Sequence, residues 1–326
     1  MKGSFNFKYN TDLCFYSGNN VAGTFSLILG KKHKVDYLNL CLKGKSQVTI
    51  TRSDSNPDGT SSSRIYVSRV NFVAGQVTLF ENKELESGLH EIPFNIKIPY
   101  DWPNTFKSVH GEIKYKIRVH VKIPWTCIRK YRQFVTILPV FLPSLKSSYI
   151  SKPMPIRETK HMFLILRCIS FGASKIVFEV QPLRNVFCMN EDVEFDVKVE
   201  NKSSTDINHF QVEFIRYCSF EAQRLNDHTK KFISTNNFYD QVKQNQTRTI
   251  NFSIPIPLMS ATLNENNFKG ANIKVEYKIK IIAFGTNRKA KFSFPVYITG
   301  PRLNLETSIS DNKNSFNFAG KPLAIL

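Results

Sequence analysis

IPFNIKIP at residues 92–99 and INFSIPIP at residues 250–257 share the pattern I-x-F-x-I-x-I-P, about 160 residues apart. Each is followed, after a loop, by a second alternating segment, EIKYKIRVHVKI at 112–123 and NIKVEYKIKII at 272–282. Alternation with a period of two indicates a strand with one buried and one solvent-facing side. A strand pair that recurs at this distance predicts two domains of similar fold in tandem.

The bulk composition agrees with two β domains. A chain of 326 residues suits two domains of ordinary size. The 27 Phe and 12 Tyr favour strands. Many short alternating segments separated by turn residues are typical of β-sandwiches, and we find no convincing helical period. The predicted fold class is therefore all-β, with two tandem immunoglobulin-type β-sandwich domains.

Proline content and the loss of alternation divide the chain. Four prolines lie between residues 139 and 160, where few residues alternate. We predict an N-terminal domain at 1–145, a linker at 146–160, a C-terminal domain at 161–300 and a short polar tail at 301–326. The polar stretch SDSNPDGTSSS at 53–63 is predicted to be a loop.

Charge is the strongest compositional signal for function. The formal net charge is +19, which predicts attraction to anionic lipids, acidic or phosphorylated peptides, or nucleic acid. Taken one by one, the basic residues are most simply a solvated strand face that discourages edge pairing. Together they exceed what solubility requires. The candidate residues for binding an anionic partner are Lys114, Lys116, Arg118, Lys122, Lys31, Lys32 and Lys34.

Motifs for catalysis are missing from the sequence. There is no G-x-S-x-G, H-E-x-x-H, G-x-G-x-x-G or Walker loop, and the seven histidines are dispersed. We therefore predict a protein that is not an enzyme, with no catalytic residue, cofactor or metal. Nucleic acid is disfavoured as a partner, because the aromatic residues fall on the apolar phase of the strands rather than between the basic ones.

The expected compartment is the cytoplasm. No stretch approaches the ~20 apolar residues of a membrane span, and the N-terminus lacks the apolar core of a signal peptide.

The six cysteines form no C-x-x-C pair and are predicted to be buried free thiols. The Trp125 side chain is expected to close one end of a sandwich core. The alternative is that its indole anchors a ligand.

Several motifs in order resemble the arrestin-domain-containing, or alpha-arrestin, family. In the first half they are G-x-H-x-I-P-F-x-I-x-I-P at 88–99 and TFKSVHGEIKYKIRVHVKIPW at 105–125. In the second half they are ENKSS at 200–204 and IKVEYKIKI at 273–281. Each motif alone is weak, but their order and spacing cover residues 5–300. The resemblance implies that both predicted sandwiches have an arrestin-like fold.

The resemblance also implies a function. Such a protein is a non-enzymatic adaptor that binds membrane cargo proteins or receptors and links them to endocytic trafficking, protein transport or ubiquitin-dependent degradation. Its partners would include ubiquitin-ligase or coat machinery, and it would associate peripherally with the plasma membrane or endosomes. The sequence has no Pro-Pro dipeptide and hence no P-P-x-Y motif, so we expect no direct binding of WW-domain ligases. The alternative function is a basic β-sandwich module that binds anionic membrane lipids without a cargo role.

Overall fold

The structure is a computed structural model. It describes residues 1–7, 13–55, 61–139, 156–161, 163–164, 175–182, 186–263, 271–286 and 288–300. The regular elements in these ranges are all β-strands, which confirms the predicted all-β class. The described residues include no helix that could span a bilayer. The predicted polar tail at 301–326 lies outside the described residues.

Nineteen strands make up the described part of the chain. The N-terminal domain contains β1 (Lys2–Phe7), β2 (Cys14–Tyr16), β3 (Asn20–Leu29), β4 (His33–Ser55), β5 (Ser61–Leu85), β6 (Gly88–Lys97), β7 (Phe106–Lys107), β8 (Gly111–Lys122) and β9 (Arg129–Leu138). The C-terminal domain contains β10 (Ile156–His161), β11 (Phe163–Leu164), β12 (Lys175–Pro182), β13 (Val186–Cys188), β14 (Asp192–Lys202), β15 (Ile207–Ala222), β16 (Leu225–Phe238), β17 (Thr247–Pro255), β18 (Ile273–Gly285) and β19 (Arg288–Thr299).

The two domains repeat one topology. In the first, the order β1-β3-β6 forms one sheet and β2-β9-β8-β4-β5 the other, with β7 beside β8. In the second, β10-β12-β14-β17 forms one sheet and β11-β19-β18-β15-β16 the other, with β13 beside β19. The parallel pair β2–β9 recurs as β13–β19. The two quoted I-x-F-x-I-x-I-P segments contribute β6 and β17, which occupy equivalent positions.

Aromatic side chains join the two sheets in each domain. Phe25 of β3 meets Tyr131 of β9 with ring centroids 5.3 Å apart. Phe195 of β14 meets Phe294 of β19 in an edge-on contact at 5.2 Å. Because such large rings bury much apolar area, they account for the Phe-rich composition of both cores.

A buried tyrosine is also repeated. Tyr115 on β8 donates a hydrogen bond to the carbonyl oxygen of Pro103 at 2.5 Å, and Tyr277 on β18 donates one to Ser260 at the same distance. Burial raises the pKa of both hydroxyls above the usual value, so both remain protonated donors. The duplication therefore extends from strand order to a single hydrogen bond.

Two predicted boundaries need correction. The linker expected at 146–160 is too long, because Ile156–His161 is strand β10 and pairs with β12. The loop expected at 53–63 is too long as well, because Ser53–Ser55 pair with Ser61–Ser63 in the β4–β5 hairpin. In both places a ladder to a neighbouring strand overrides weak local strand propensity.

The domains meet at the start of β8. The Phe220 ring from β15 lies 6.4 Å from the Phe106 ring and 5.6 Å from the His110 ring. Nearby, the Ser46 hydroxyl hydrogen-bonds to Oδ1 of Asn272 at 2.5 Å, and both residues are buried. This contact joins the six-stranded sheets of the two domains.

Candidate functional site

The outer face of β8 carries the basic residues that the alternation singled out. Ile113, Ile117 and Val119 are completely buried on the inner face. Lys116 and Arg118, on the outer face, are half-buried, and Lys114 is exposed. The alternation therefore predicted correctly which side of the strand each residue occupies.

Pairing with β4 and β9 concentrates the positive charge. Residues directly opposite one another on this face form the pairs Lys43–Lys116, Lys45–Lys114, Arg118–Arg132 and His120–Lys130. Like charges directly opposite one another in a sheet destabilise it. We call the set Lys43, Lys45, Lys114, Lys116, Arg118, Lys130 and Arg132 the cationic face.

Little on the protein offsets these charges. Lys114 forms an ion pair with Glu112 at 2.7 Å, and Lys45 donates to the amide oxygen of Gln47. Within the described ranges, no carboxylate forms an ion pair with Lys43, Lys116 or Arg118. Burial and the neighbouring cations, first Arg118 and then Arg132, hold the pKa of Lys116 below its usual value. A bound anion would relieve this repulsion.

Two polar side chains complete one end of the face. Asn39 lies directly opposite His120. Asn39 Oδ1 and His120 Nε2 are both buried atoms without a hydrogen-bond partner. Burial, Lys43, Lys130 and Arg118, in that order, lower the pKa of His120. The imidazole is therefore held neutral at a position where a bound anion would favour its charged form.

The equivalent face of the C-terminal domain shows that the fold does not require this charge. With Tyr277 aligned on Tyr115, Lys114 corresponds to Glu276. Lys280, which corresponds to Arg118, is paired with Glu213 at 2.7 Å. Ile215 lies opposite Lys278, where the first domain has Lys43 opposite Lys116. One topology thus carries a mixed surface in one domain and a cationic surface in the other.

The other predicted residues do not join the cationic face. Lys122 donates to the carbonyl oxygen of Thr126 at 2.6 Å. Lys31, Lys32 and Lys34 lie at the β3–β4 turn, and Lys32 is paired with Glu84 and Glu86 at 3.1 and 2.8 Å. Those two carboxylates raise the pKa of Lys32. Of the seven predicted residues, Lys114, Lys116 and Arg118 therefore lie on the cationic face, and the other four lie outside it.

Four cations of the face were absent from the predicted set, namely Lys43, Lys45, Lys130 and Arg132. Leu38, Leu40 and Leu42 occupy even positions of one strand, and Lys43 and Lys45 occupy odd positions. This alternation could have predicted that the two lysines lie on the outer face of that strand. Which strands lie beside β8 is a long-range property, and sequence alternation does not reveal it.

The expectation for Trp125 was wrong. Its side chain is completely exposed at the β8–β9 turn. The buried tryptophan is instead Trp102, which stacks on Tyr115 near the start of β8 with ring centroids 5.2 Å apart. The cysteine prediction holds in part: Cys41 and Cys218 are buried free thiols and Cys188 is buried, but Cys127 is exposed and Cys14 half-buried, and Cys168 lies outside the described residues. In the described ranges, no three His, Cys, Asp or Glu side chains are grouped as a metal site requires.

Comparison with known proteins agrees with the repeated topology. The family model described as "Arrestin (or S-antigen), N-terminal domain" matches residues 4–142, and "Arrestin (or S-antigen), C-terminal domain" matches residues 173–303. Two relatives come from Caenorhabditis elegans. Arrestin domain-containing protein 17 is 20% identical over 285 residues, which are 83% of this chain and 66% of that protein. Arrestin domain-containing protein 15 is 21% identical over 172 residues, which are 52% of this chain and 44% of that protein.

The chain thus spans just under two-thirds of the first relative and less than half of the second. The two family models cover most of the chain, in the order in which the two sandwiches occur. The chain belongs to the arrestin-domain family.

Proposed function

We propose that this protein is a non-enzymatic adaptor that binds membrane cargo and links it to endocytic trafficking, protein transport or ubiquitin-dependent degradation. Membership of the arrestin-domain family suggests an adaptor-like trafficking role. The proposed location is the cytoplasm, with peripheral association at the plasma membrane or endosomes. Ubiquitin-ligase or coat machinery is the proposed second partner.

The observation that carries the proposal is the set of like-charge pairs on the cationic face. Lys114, Lys116 and Arg118 alternate along one strand. Alternate residues of a strand are about 7 Å apart. An extended cargo segment with acidic residues at every second position would match this spacing, and each contact would be a charge-assisted hydrogen bond.

A second candidate function uses the same charge. The net charge of +19 also favours an anionic bilayer, to which each nearby Lys or Arg contributes about 1 kcal/mol. A pure lipid module would bind acidic vesicles but would not select cargo. The two functions therefore differ in what the cationic face recognises within a cell.

Proximity labelling in the native cell tests the adaptor function. The informative variant is the triple change Lys43→Glu, Lys116→Glu and Arg118→Glu. Its matched control is Lys230→Glu, Lys278→Glu and Lys291→Glu, exposed lysines in the C-terminal domain that give the same change in net charge. We expect membrane cargo to be labelled by the wild type and the control but lost from the first variant. Cargo labelling that survives in all three proteins would contradict a role for the cationic face.

Binding should strengthen as the pH falls. The pKa of free His120 is lowered, so its protonation favours the unfolded state, and stability decreases as the pH falls through about 6.5. A bound anion offsets the cations around the imidazole and should raise its pKa. The complex then takes up a proton, and affinity should rise between about pH 7.5 and 5.5.

NMR titration of the His120 ring, with and without a peptide in which Glu alternates with Thr, measures this shift. His120→Gln should bind the peptide with much weaker pH dependence over this range. A His120 pKa that stays the same or falls when the peptide binds would show that the anion lies elsewhere.

A further inference from the structure

A fully exposed tryptophan projects from the end of the N-terminal domain. Trp125 occupies the turn between β8 and β9, and its relative exposure is 102%. Its backbone is left-handed, with φ at 59°. Bulky residues rarely adopt this conformation, which costs of order 1 kcal/mol or more. A large apolar side chain therefore stands in solvent on a strained backbone.

Hydrogen bonds close the turn that presents the indole. The Thr126 backbone N–H donates to Ile123 at 3.2 Å, and the Thr126 hydroxyl donates to the same carbonyl at 2.9 Å. Lys122 Nζ donates to the Thr126 carbonyl at 2.6 Å. The side chain is thus held outward by a defined turn and a neighbouring cation.

Exposed cations lie at the same end of the domain as the indole. The pairing of Tyr37 with Lys122 brings the start of β4, and with it the β3–β4 turn, to the same end of the sheet as Trp125. Lys31 and Lys34 of that turn are exposed. On the other side of the tip, Arg129 is exposed at the start of β9. Glu84 and Glu86 also lie at this end, where they pair with Lys32.

Further apolar residues share this end of the domain. Ile128, three residues after Trp125, is 39% exposed. Ile28 and Leu89 lie directly opposite each other on β3 and β6, at the strand ends nearest this tip, and are 47% and 59% exposed. Exposed apolar groups and exposed cations thus share this end of the domain and form an amphipathic surface.

We propose that this end of the N-terminal domain is a membrane anchor that inserts Trp125 into the head-group region of an anionic bilayer. Tryptophan is enriched at membrane–water interfaces because its ring is apolar and its N–H is polar. Lys31, Lys34 and Arg129 contact acidic head groups. The anchor is separate from recognition of cargo by the cationic face.

Tryptophan fluorescence with protein-free vesicles tests the anchor. The chain has two tryptophans, and Trp102 is only 9% exposed, so Trp125 should supply most of any change. Vesicles of phosphatidylcholine with phosphatidylserine should shift the emission to shorter wavelength, and brominated acyl chains should quench it. Phosphatidylcholine alone should have a much smaller effect.

Trp125→Asn is the informative variant, because asparagine tolerates a left-handed backbone and the turn should persist. We expect its melting temperature to stay the same or rise, and its affinity for the acidic vesicles to fall at least about tenfold. The matched control is Tyr239→Asn, which removes an aromatic ring that is 80% exposed in the C-terminal domain. It should bind like the wild type.

Three results would overturn the anchor: no shift at saturating acidic vesicles, equal binding by Trp125→Asn and wild type, or equal loss in the Tyr239→Asn control. A purified protein that captures the tip while vesicles leave the emission unchanged would assign Trp125 to a protein pocket instead. Because the vesicles contain no cargo, these outcomes are independent of the adaptor test.

Discussion

Replacing Ile117 by alanine is expected to lower the free energy of unfolding by about 2–4 kcal/mol. Ile117 is completely buried on the inner face of β8, between the two sheets of the N-terminal domain. Truncation removes apolar contacts and leaves a cavity that a close-packed core fills only in part. Urea denaturation followed by fluorescence measures the change, which should appear in the transition of the N-terminal domain.

Lys116→Ala, one residue away on the outer face, is the control. It should change stability by less than about 0.5 kcal/mol, because Lys116 lies on the outer face and its removal also relieves repulsion from the neighbouring cations. Equal destabilisation by the two changes would mean that the inner and outer faces of β8 have been assigned incorrectly.

Replacing Phe220 by alanine should cost about 3–5 kcal/mol and weaken the contact between the domains. The ring is 1% exposed and lies against Phe106 and His110 of the other domain. Its removal opens a cavity at the interface as well as in the C-terminal core. Calorimetry should therefore show a lower melting temperature and a wider separation between the unfolding of the two domains.

The control for this change is Phe232→Ala, which removes a half-exposed ring on the neighbouring strand β16. Its cost should be well under that of Phe220→Ala. If both variants melt alike, or if the Phe220 variant unfolds as cooperatively as the wild type, the ring does not couple the domains.

The local sequence pattern was sufficient to predict the strands in which apolar and polar residues alternate strictly. The repeat of β6 and β8 in β17 and β18 could be read from residue spacing, because burial on one side imposes a period of two. The same pattern assigned Lys116 and Arg118 to the outer side of β8 correctly. It is also why the two-domain all-β fold was predictable.

The features that could not be predicted from the sequence depend mainly on long-range strand pairing. Lys43 and Arg132 reach the cationic face only because β4 and β9 flank β8 in a particular register. Either tryptophan could have closed the core, and the turn geometry that exposes Trp125 has no local signature. Strand β10 has little alternation of its own and depends on pairing with β12.

The central claim is that the cationic face of the N-terminal domain binds an anionic segment. Fluorescence anisotropy of a labelled peptide in which Glu alternates with Thr tests it most directly, at low salt and again at physiological salt. The Lys43→Glu, Lys116→Glu, Arg118→Glu variant should bind about 100-fold more weakly than the wild type, since three contacts of about 1 kcal/mol are lost. The Lys230→Glu, Lys278→Glu, Lys291→Glu control, with the same net charge, should stay close to the wild type. Equal loss in both variants, or unchanged binding in the first, would contradict a specific site on this face.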